Sequence, residues 1–320
     1  MNAAMKAAVV RAKGQPPVFA DFEMPATGVG ERLVTVTAAA LSPLARARAA
    51  GTHYSADGGF PFVAGVDGVG RLADGTRAYF ILPRAPFGSF AEASVAPAAQ
   101  CVPVPDGLDD VTAAAIANPG MSSWAALTER ARFRKGESVL INGATGASGR
   151  LAVQIAKYRG AARVVATGRN LAALDELRAL GADATIPLGI GPEALAEAFA
   201  AAFADGIDVV LDYLWGSSAE LLLAAAVKAS PAGRAIRYVE IGAASGAEIR
   251  LPGALLRSSG LELTGSGIGS LSLERLAAAV AGVFEAARPA GLSLATRQVP
   301  LAEVEAIWPL TDGDRIVLIP

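Results

Sequence analysis

Ser138-Val-Leu-Ile-Asn-Gly-Ala-Thr-Gly-Ala-Ser-Gly149 is an apolar strand running straight into three glycines spaced three apart, with an amphipathic stretch behind it. Strand, glycine loop and helix in that order read as a dinucleotide site. Gly143 allows the tight turn, Gly146 lets backbone N–H groups approach a pyrophosphate, and Gly149 lets the helix pack closely on the strand. The helix expected over 150–159 carries Leu151 and Ile155 on one face, and its positive end points at the phosphates. Thr145, Ala147 and Ser148 complete the candidate cradle.

Working outward, buried strands are expected at 162–167 and 184–187, with a helix over 171–180 that repeats Leu every third residue. A second run of the same alternation follows: a strand at 207–213, a helix over 217–229, and strands at 235–241 and 261–264. Together they predict a doubly wound parallel sheet with its ligand crevice at the carboxyl ends of the strands, where Ile241 and Gly242 fall.

The end of the second strand selects the cofactor. An NAD site places an acid there for the ribose 2′-hydroxyl, whereas this chain has Thr167-Gly-Arg-Asn170. The Arg169 guanidinium suits a 2′-phosphate and no carboxylate repels it, so NADPH is favoured over NADH, with Gly168, Arg169 and Asn170 as contacts. The bland alternative is that Asn170 caps the next helix and Arg169 is solvated. A P-loop is excluded because Arg150-Leu151 follows the last glycine, and a methyltransferase would want an acid where Arg169 stands. The glycine loop also looks like the opening of an atypical short-chain reductase, but here it comes about 140 residues into the chain.

Those earlier residues read as short strands at 6–11, 18–22, 32–37, 68–72, 76–80 and 89–95, punctuated by Gly and Pro, which suggests a partly open β-barrel. One helix is expected after Ser42, with Pro43 at its first position. Near the other end, 298–301 and 315–319 read as strands again, around a short helix at 302–308.

Ala39-Ala-Leu-Ser-Pro43, Gly65-Val-Asp-Gly-Val-Gly70, Gly88-Ser-Phe-Ala-Glu92, Asn118-Pro119, the glycine loop, Asp212-Tyr213 and Asp314-Arg-Ile-Val-Leu318 occur in an order and spacing that resemble the medium-chain dehydrogenase/reductase superfamily, in its zinc-free quinone oxidoreductase branch. The resemblance spans essentially the whole chain. It implies a GroES-like catalytic domain at 1–117 and 293–320, a Rossmann NADPH-binding domain at 118–292, and a cleft where substrate meets nicotinamide. By analogy it also implies a homodimer paired through 251–266.

Zinc alcohol dehydrogenases of that superfamily need several Cys and a Gly-His-Glu. This chain has one cysteine and one histidine, with Ser42 and Val66-Asp67-Gly68 at the corresponding places, so no metal is expected. Hydride transfer from NADPH to a quinone or an α,β-unsaturated carbonyl is then the expected chemistry. Asn118 resembles the element that lies near the nicotinamide and would hold its carboxamide or a substrate carbonyl; alternatively Asn118 is a helix N-cap with Pro119 at the first helical position. Tyr54, after Gly51-Thr-His, is the candidate proton donor, with neighbouring His53 able to share the work and a plain loop tyrosine as the alternative. The branch usually carries Asn-x-x-Asp where this chain has Ser42 and Ala45, which leaves one hydroxyl to hold substrate. That loss keeps open a second function, an NADPH-binding redox sensor or structural protein with little turnover.

A net charge of −2 offers no basic footprint for nucleic acid. There is no apolar run of membrane length and no charged-then-apolar leader, and Cys101 has no partner thiol. A cytoplasmic enzyme is the expectation.

Overall fold

The computed structural model describes residues 3–56, 59–311 and 313–320. Contacts divide the chain into two compact units, one of 1–118, 273–288 and 293–320 and one of 119–272 and 289–292.

The first unit begins with strands β1 (Ala4–Val10), β2 (Val18–Glu23) and β3 (Glu31–Ala40), then helix α1 (Pro43–Ala49) and strands β4 (Phe62–Val63), β5 (Asp67–Leu72), β6 (Arg77–Ile81), β7 (Ala93–Pro97) and β8 (Cys101–Pro103). Helix α1 starts where the sequence places it: the Ser42 Oγ accepts the Ala45 N–H at 3.1 Å, and Pro43 needs no hydrogen-bond partner in the first turn. Strand β3 is the long organiser, pairing antiparallel with β5 and β7. Its register with β5 slips between Val36 and Ala38. The residue at the slip, Thr37, turns its hydroxyl to the Asp110 carboxylate at 2.7 Å.

Asp110 opens helix α2 (Asp110–Ala125). The N-cap work is done by Asp109, whose carboxylate accepts both the Thr112 backbone N–H and its hydroxyl. Helix α2 therefore starts well before Asn118-Pro119, and Pro119 lies inside it. The N-cap alternative for Asn118 is corrected on this ground: a stronger cap upstream had already begun the helix.

The second unit is built on β9 (Ser138–Asn142), α3 (Ala147–Tyr158), β10 (Arg163–Gly168), α4 (Leu171–Ala179), β11 (Ala184–Pro187), α5 (Pro192–Ala204), β12 (Val209–Asp212), α6 (Gly216–Ala229), β13 (Ala235–Glu240), α7 (Gly253–Arg257) and β14 (Gly260–Gly265). All pairs are parallel, in the order β11-β10-β9-β12-β13-β14. The order reverses direction between β9 and β12, which makes the sheet doubly wound with its switch point at the glycine loop. Central strands must be apolar on both faces, and Val139, Leu140 and Ile141 are all fully buried. Beneath the sheet, Phe199, Phe203, Leu222 and Tyr238 form one core, each large side chain contributing about 1.5–3 kcal/mol by leaving water.

The chain then returns to the first unit through α8 (Leu273–Ala287), β15 (Thr296–Pro300), α9 (Val304–Ile307) and β16 (Arg315–Ile319). Strand β16 pairs with both β15 and β3, closing the seven-stranded sheet. The sequence reading carries the inserted domain to residue 292, whereas by contacts α8 groups with the first unit.

Candidate active site

The glycine loop lies between β9 and α3, and hydrogen bonds hold it from two sides. The Gly143 N–H donates to the Thr167 Oγ1 at 3.0 Å and the Ala144 N–H to the Thr167 carbonyl at 2.7 Å, which ties the loop to the end of β10. On the far side the Arg150 Nε donates to the Thr145 carbonyl at 3.2 Å. The Gly143 φ of +87° is one that a side chain would resist.

Behind the loop runs a buried chain of side chains across four strand ends. The Thr167 hydroxyl donates to the Asn142 Oδ1 at 2.7 Å, and the Asn142 Nδ2 donates to the Asp212 Oδ1 at 2.8 Å and to the Ser218 Oγ at 3.0 Å. Tyr238 donates its hydroxyl to the Asp212 Oδ2 at 2.6 Å. The same carboxylate takes the backbone N–H groups of Leu214 and Trp215, and so shapes the turn after β12, where Trp215 sits at a φ of +56°. Burial raises the Asp212 pKa, and these donors pull it back. Ile241 and Gly242 belong to the same crevice, both donating their N–H to the Asp212 carbonyl.

Helix α3, like α5 and α6, starts without a side-chain cap, but only its start follows the glycine loop. Gly146 is its N-cap, and no side-chain oxygen takes the N–H groups there, whereas Ser42 caps α1 and Asn170 caps α4 by accepting the Ala173 N–H at 3.1 Å. The N–H groups at this helix start are available to an anion, with the helix dipole behind them. Ala147, Ser148 and Gly149 form that first turn. Asn170 is thus a cap, as the bland sequence alternative holds, while Arg169 beside it is exposed and has no ion pair among the described residues. Near Ser148, the Tyr213 hydroxyl lies 2.8 Å from the Ser123 Oγ, and burial pushes its pKa up to about 12.

In the first unit a cavity of about 650 Å³ is walled by Ala45, Ala49, Phe60, Phe62, Val66 and Phe87 among others. Ser42 is buried at the head of α1, its oxygen committed to the cap. Tyr54 is 73% exposed, its ring 4.1 Å from that of His53, and it is not among the described wall residues. The His53 pKa is lowered by partial burial and by Arg48, which favours a neutral ring at pH 7.

Next to the cavity residue Val66, Asp67 is wholly buried. Its Oδ1 accepts the Asn118 Nδ2 and its Oδ2 accepts the Tyr79 hydroxyl, both at 3.1 Å. Burial pushes its carboxyl up to about 6, against the opposing pull of Arg315, Asn118 and Tyr79. Asp67, Asn142, Asp212 and Tyr238 carry no assigned role in the sequence reading. For Asn142 and Asp212 the available signal was an amide or carboxylate ending an otherwise apolar strand, a place where an unpartnered polar group would be costly.

A zinc ion does not fit these residues. Ser42 spends its oxygen on a backbone N–H, the Asp67 carboxylate is taken up by an amide and a phenol, and the described residues hold no group of three or more His, Cys, Asp or Glu suited to a metal. The Cys101 thiol donates to the Pro97 carbonyl, and burial raises its pKa. A dinucleotide does fit, at the uncapped start of α3.

Two expected outcomes follow from this geometry. A Cβ on Gly149 would lie 2.4 Å from the Ala144 Cα, whereas one on Gly146 meets nothing within 4 Å. Gly149→Ala should therefore destabilise the fold by about 1–3 kcal/mol in urea unfolding, while Gly146→Ala stays within about 0.5 kcal/mol of wild type. The second concerns pH. Because the native state holds the Asp67 proton more tightly than the unfolded chain, this group's contribution is greatest below about pH 4 and is lost as pH rises to about 6. Asp67→Asn removes that titration, so its stability relative to wild type should improve by about 2 kcal/mol between pH 4 and pH 7. A pH-independent difference would contradict the assignment.

A family model described as zinc-binding dehydrogenase matches residues 147–283. A probable NADPH-dependent quinone reductase of Emericella nidulans is 28% identical, covering 99% of this chain and all of that protein. A trans-enoyl reductase of Aspergillus terreus is 34% identical over 100 residues, a local match to 28% of its length. Among solved structures, the quinone oxidoreductase of Thermus thermophilus, known also in complex with NADPH, is 28% identical with a TM-score of 0.81, covering 99% of this chain and 100% of that one. The fold is accordingly a GroES-like barrel with a Rossmann sheet. On order of elements, glycine loop and relatives together, the chain is similar to the quinone reductases of the medium-chain dehydrogenase/reductase superfamily.

Proposed function

We propose that the protein is an NADPH-dependent, metal-free oxidoreductase that passes hydride to a quinone or an α,β-unsaturated carbonyl. The observation that carries this reading is the uncapped first turn of α3 behind a glycine loop fixed by Thr167 and Arg150. NADPH, when bound, supplies the hydride, and the acceptor takes that hydride and a proton. The amides of Thr145, Gly146, Ala147, Ser148 and Gly149 receive the diphosphate, with Gly143, Ile241 and Gly242 shaping the crevice. Arg169, at the end of β10 beside Gly168, pairs with the 2′-phosphate, while Asn170 holds the start of α4 in register.

The cavity near α1 suits a flat apolar acceptor, since aromatic and aliphatic walls exclude water from the transfer. Asn118 positions the nicotinamide end. Tyr54, exposed beside His53, is the candidate proton donor, and Ser42 contributes to the shape of the pocket through α1. Strand β14 lies at one edge of the six-stranded sheet, which supports pairing of two copies there as a homodimer. Among the described residues no helix is long and apolar enough to cross a membrane, and a cytoplasmic setting belongs to the proposal.

One observation favours a second reading, an NADPH-binding sensor with little turnover. Ser42 is committed to its cap and Ala45 brings no polar group to the cavity.

Steady-state oxidation of NADPH, followed by absorbance with 1,4-benzoquinone, 9,10-phenanthrenequinone and a 2-enal, should give saturable turnover with at least one acceptor. Saturable binding without turnover would move the balance to the sensor. Arg169→Ala should reduce the NADPH-to-NADH affinity ratio by about 10- to 100-fold, the worth of a charge-assisted contact. An unchanged ratio would remove Arg169 from the site. Gly146→Ala should keep its fold and lose about tenfold or more in NADPH affinity.

A further inference from the structure

The first turn of α3 is held by a side chain of another helix. Ser123, in the part of α2 that belongs to the second unit, is wholly buried. Its Oγ lies 3.1 Å from the Ser148 carbonyl oxygen, 3.2 Å from that of Pro119 and 2.8 Å from the Tyr213 hydroxyl. Carbonyls only accept, so the single Ser123 proton goes to one of them and Tyr213 gives its own proton to the Oγ. The Pro119 carbonyl already accepts the Ser122 hydroxyl at 2.8 Å, which leaves Ser148 as the better acceptor. Donation therefore runs from Tyr213 to Ser123 to Ser148.

The Ser148 carbonyl and the Gly149 N–H are the two ends of one peptide group. A proton drawn to that oxygen polarises the N–H at the other end, because hydrogen bonds in a chain strengthen one another. That N–H belongs to the first turn of α3, which no side chain caps and which is open to an anion. The same arrangement recurs three residues earlier, where the Arg150 Nε donates to the Thr145 carbonyl and so pulls on the peptide that carries the Gly146 N–H. Plain packing at position 123 would be met by alanine facing phenylalanine, with no buried polar atoms to satisfy.

We propose that Ser123, aimed by Tyr213, is a positioning residue for the cofactor diphosphate: it acts through the Ser148–Gly149 peptide, fixing the first turn of α3 and sharpening the Gly149 N–H as a donor. This rests on the reading that the diphosphate sits at that turn. It goes beyond it by naming the side chains that tune the turn from behind, all of them in the second unit.

The probes are NADPH and adenosine 2′-monophosphate, which keeps the 2′-phosphate that Arg169 meets and lacks the diphosphate. Dissociation constants for both are measured by calorimetry on the full chain, with folding checked by thermal melting. Ser123→Ala leaves the buried Tyr213 hydroxyl without its acceptor, so the double variant Ser123→Ala with Tyr213→Phe is measured beside it. Both variants should bind NADPH about 3- to 10-fold more weakly than wild type, the worth of one hydrogen bond, and hold adenosine 2′-monophosphate within about twofold. Arg169→Ala, by contrast, should weaken both ligands. Tyr213→Phe alone should weaken NADPH in the same direction as Ser123→Ala, because Ser123 is then free to turn its proton to Pro119.

If the Ser123 variants weaken both ligands alike, or leave NADPH binding unchanged, the hydroxyl serves packing only and the inference is overturned. If Tyr213→Phe binds NADPH as wild type does, the aiming by Tyr213 is overturned. If wild type binds neither ligand, the cofactor reading itself fails, and no variant is needed to see it.

Discussion

One buried carboxylate organises the dinucleotide unit. Asp212 ends β12 at the point where strand order reverses, and through Asn142 and Thr167 its charge is connected to the amides of Gly143 and Ala144. Through Tyr238 and two backbone N–H groups it also fixes the neighbouring strand end and the next turn. Such a network stands or falls as a unit, because in a low dielectric each satisfied bond is strong and each orphan costly. The outcome is a loop held rigid from behind while the amides in front remain uncapped. A site of this kind needs no catalytic side chain to bind its ligand; it needs backbone held still.

Much of this was legible in the sequence because the physics is local. Three glycines after Val-Leu-Ile, the leucine repeat at 171–180 and the Ser42-Pro43 helix start each depend on a few adjacent residues, and each lies in the structure at or near its expected place. What was not legible depends on partners distant in sequence. The pairing of Asp67 with Asn118 spans 51 residues, and that of Asn142 with Asp212 spans 70. The start of α2 was missed for a different reason: Asn118-Pro119 looks like a cap, but the Asp109–Thr112 pair upstream captures the start first, and a proline nine residues into the helix is tolerated there.

The two buried aspartates divide the work between the units. Asp212 acts on backbone, holding the glycine loop, while Asp67 holds one amide, and its burial is compensated less completely. Its pKa rises to about 6, and the Nε and Nη2 of the neighbouring Arg315 find no hydrogen-bond partner. In a chain with one cysteine and one histidine, the buried polar groups around Asp67 are engaged with one another.

The most direct test of the central claim reads the backbone itself. In amide-resolved NMR of ¹⁵N-labelled protein titrated with NADPH, the N–H signals of Gly146, Ala147 and Ser148 should move strongly downfield as they bind the diphosphate. The signal of Ala173, in the capped first turn of α4, should stay nearly still. Saturable binding that leaves the three loop amides unmoved would contradict the account.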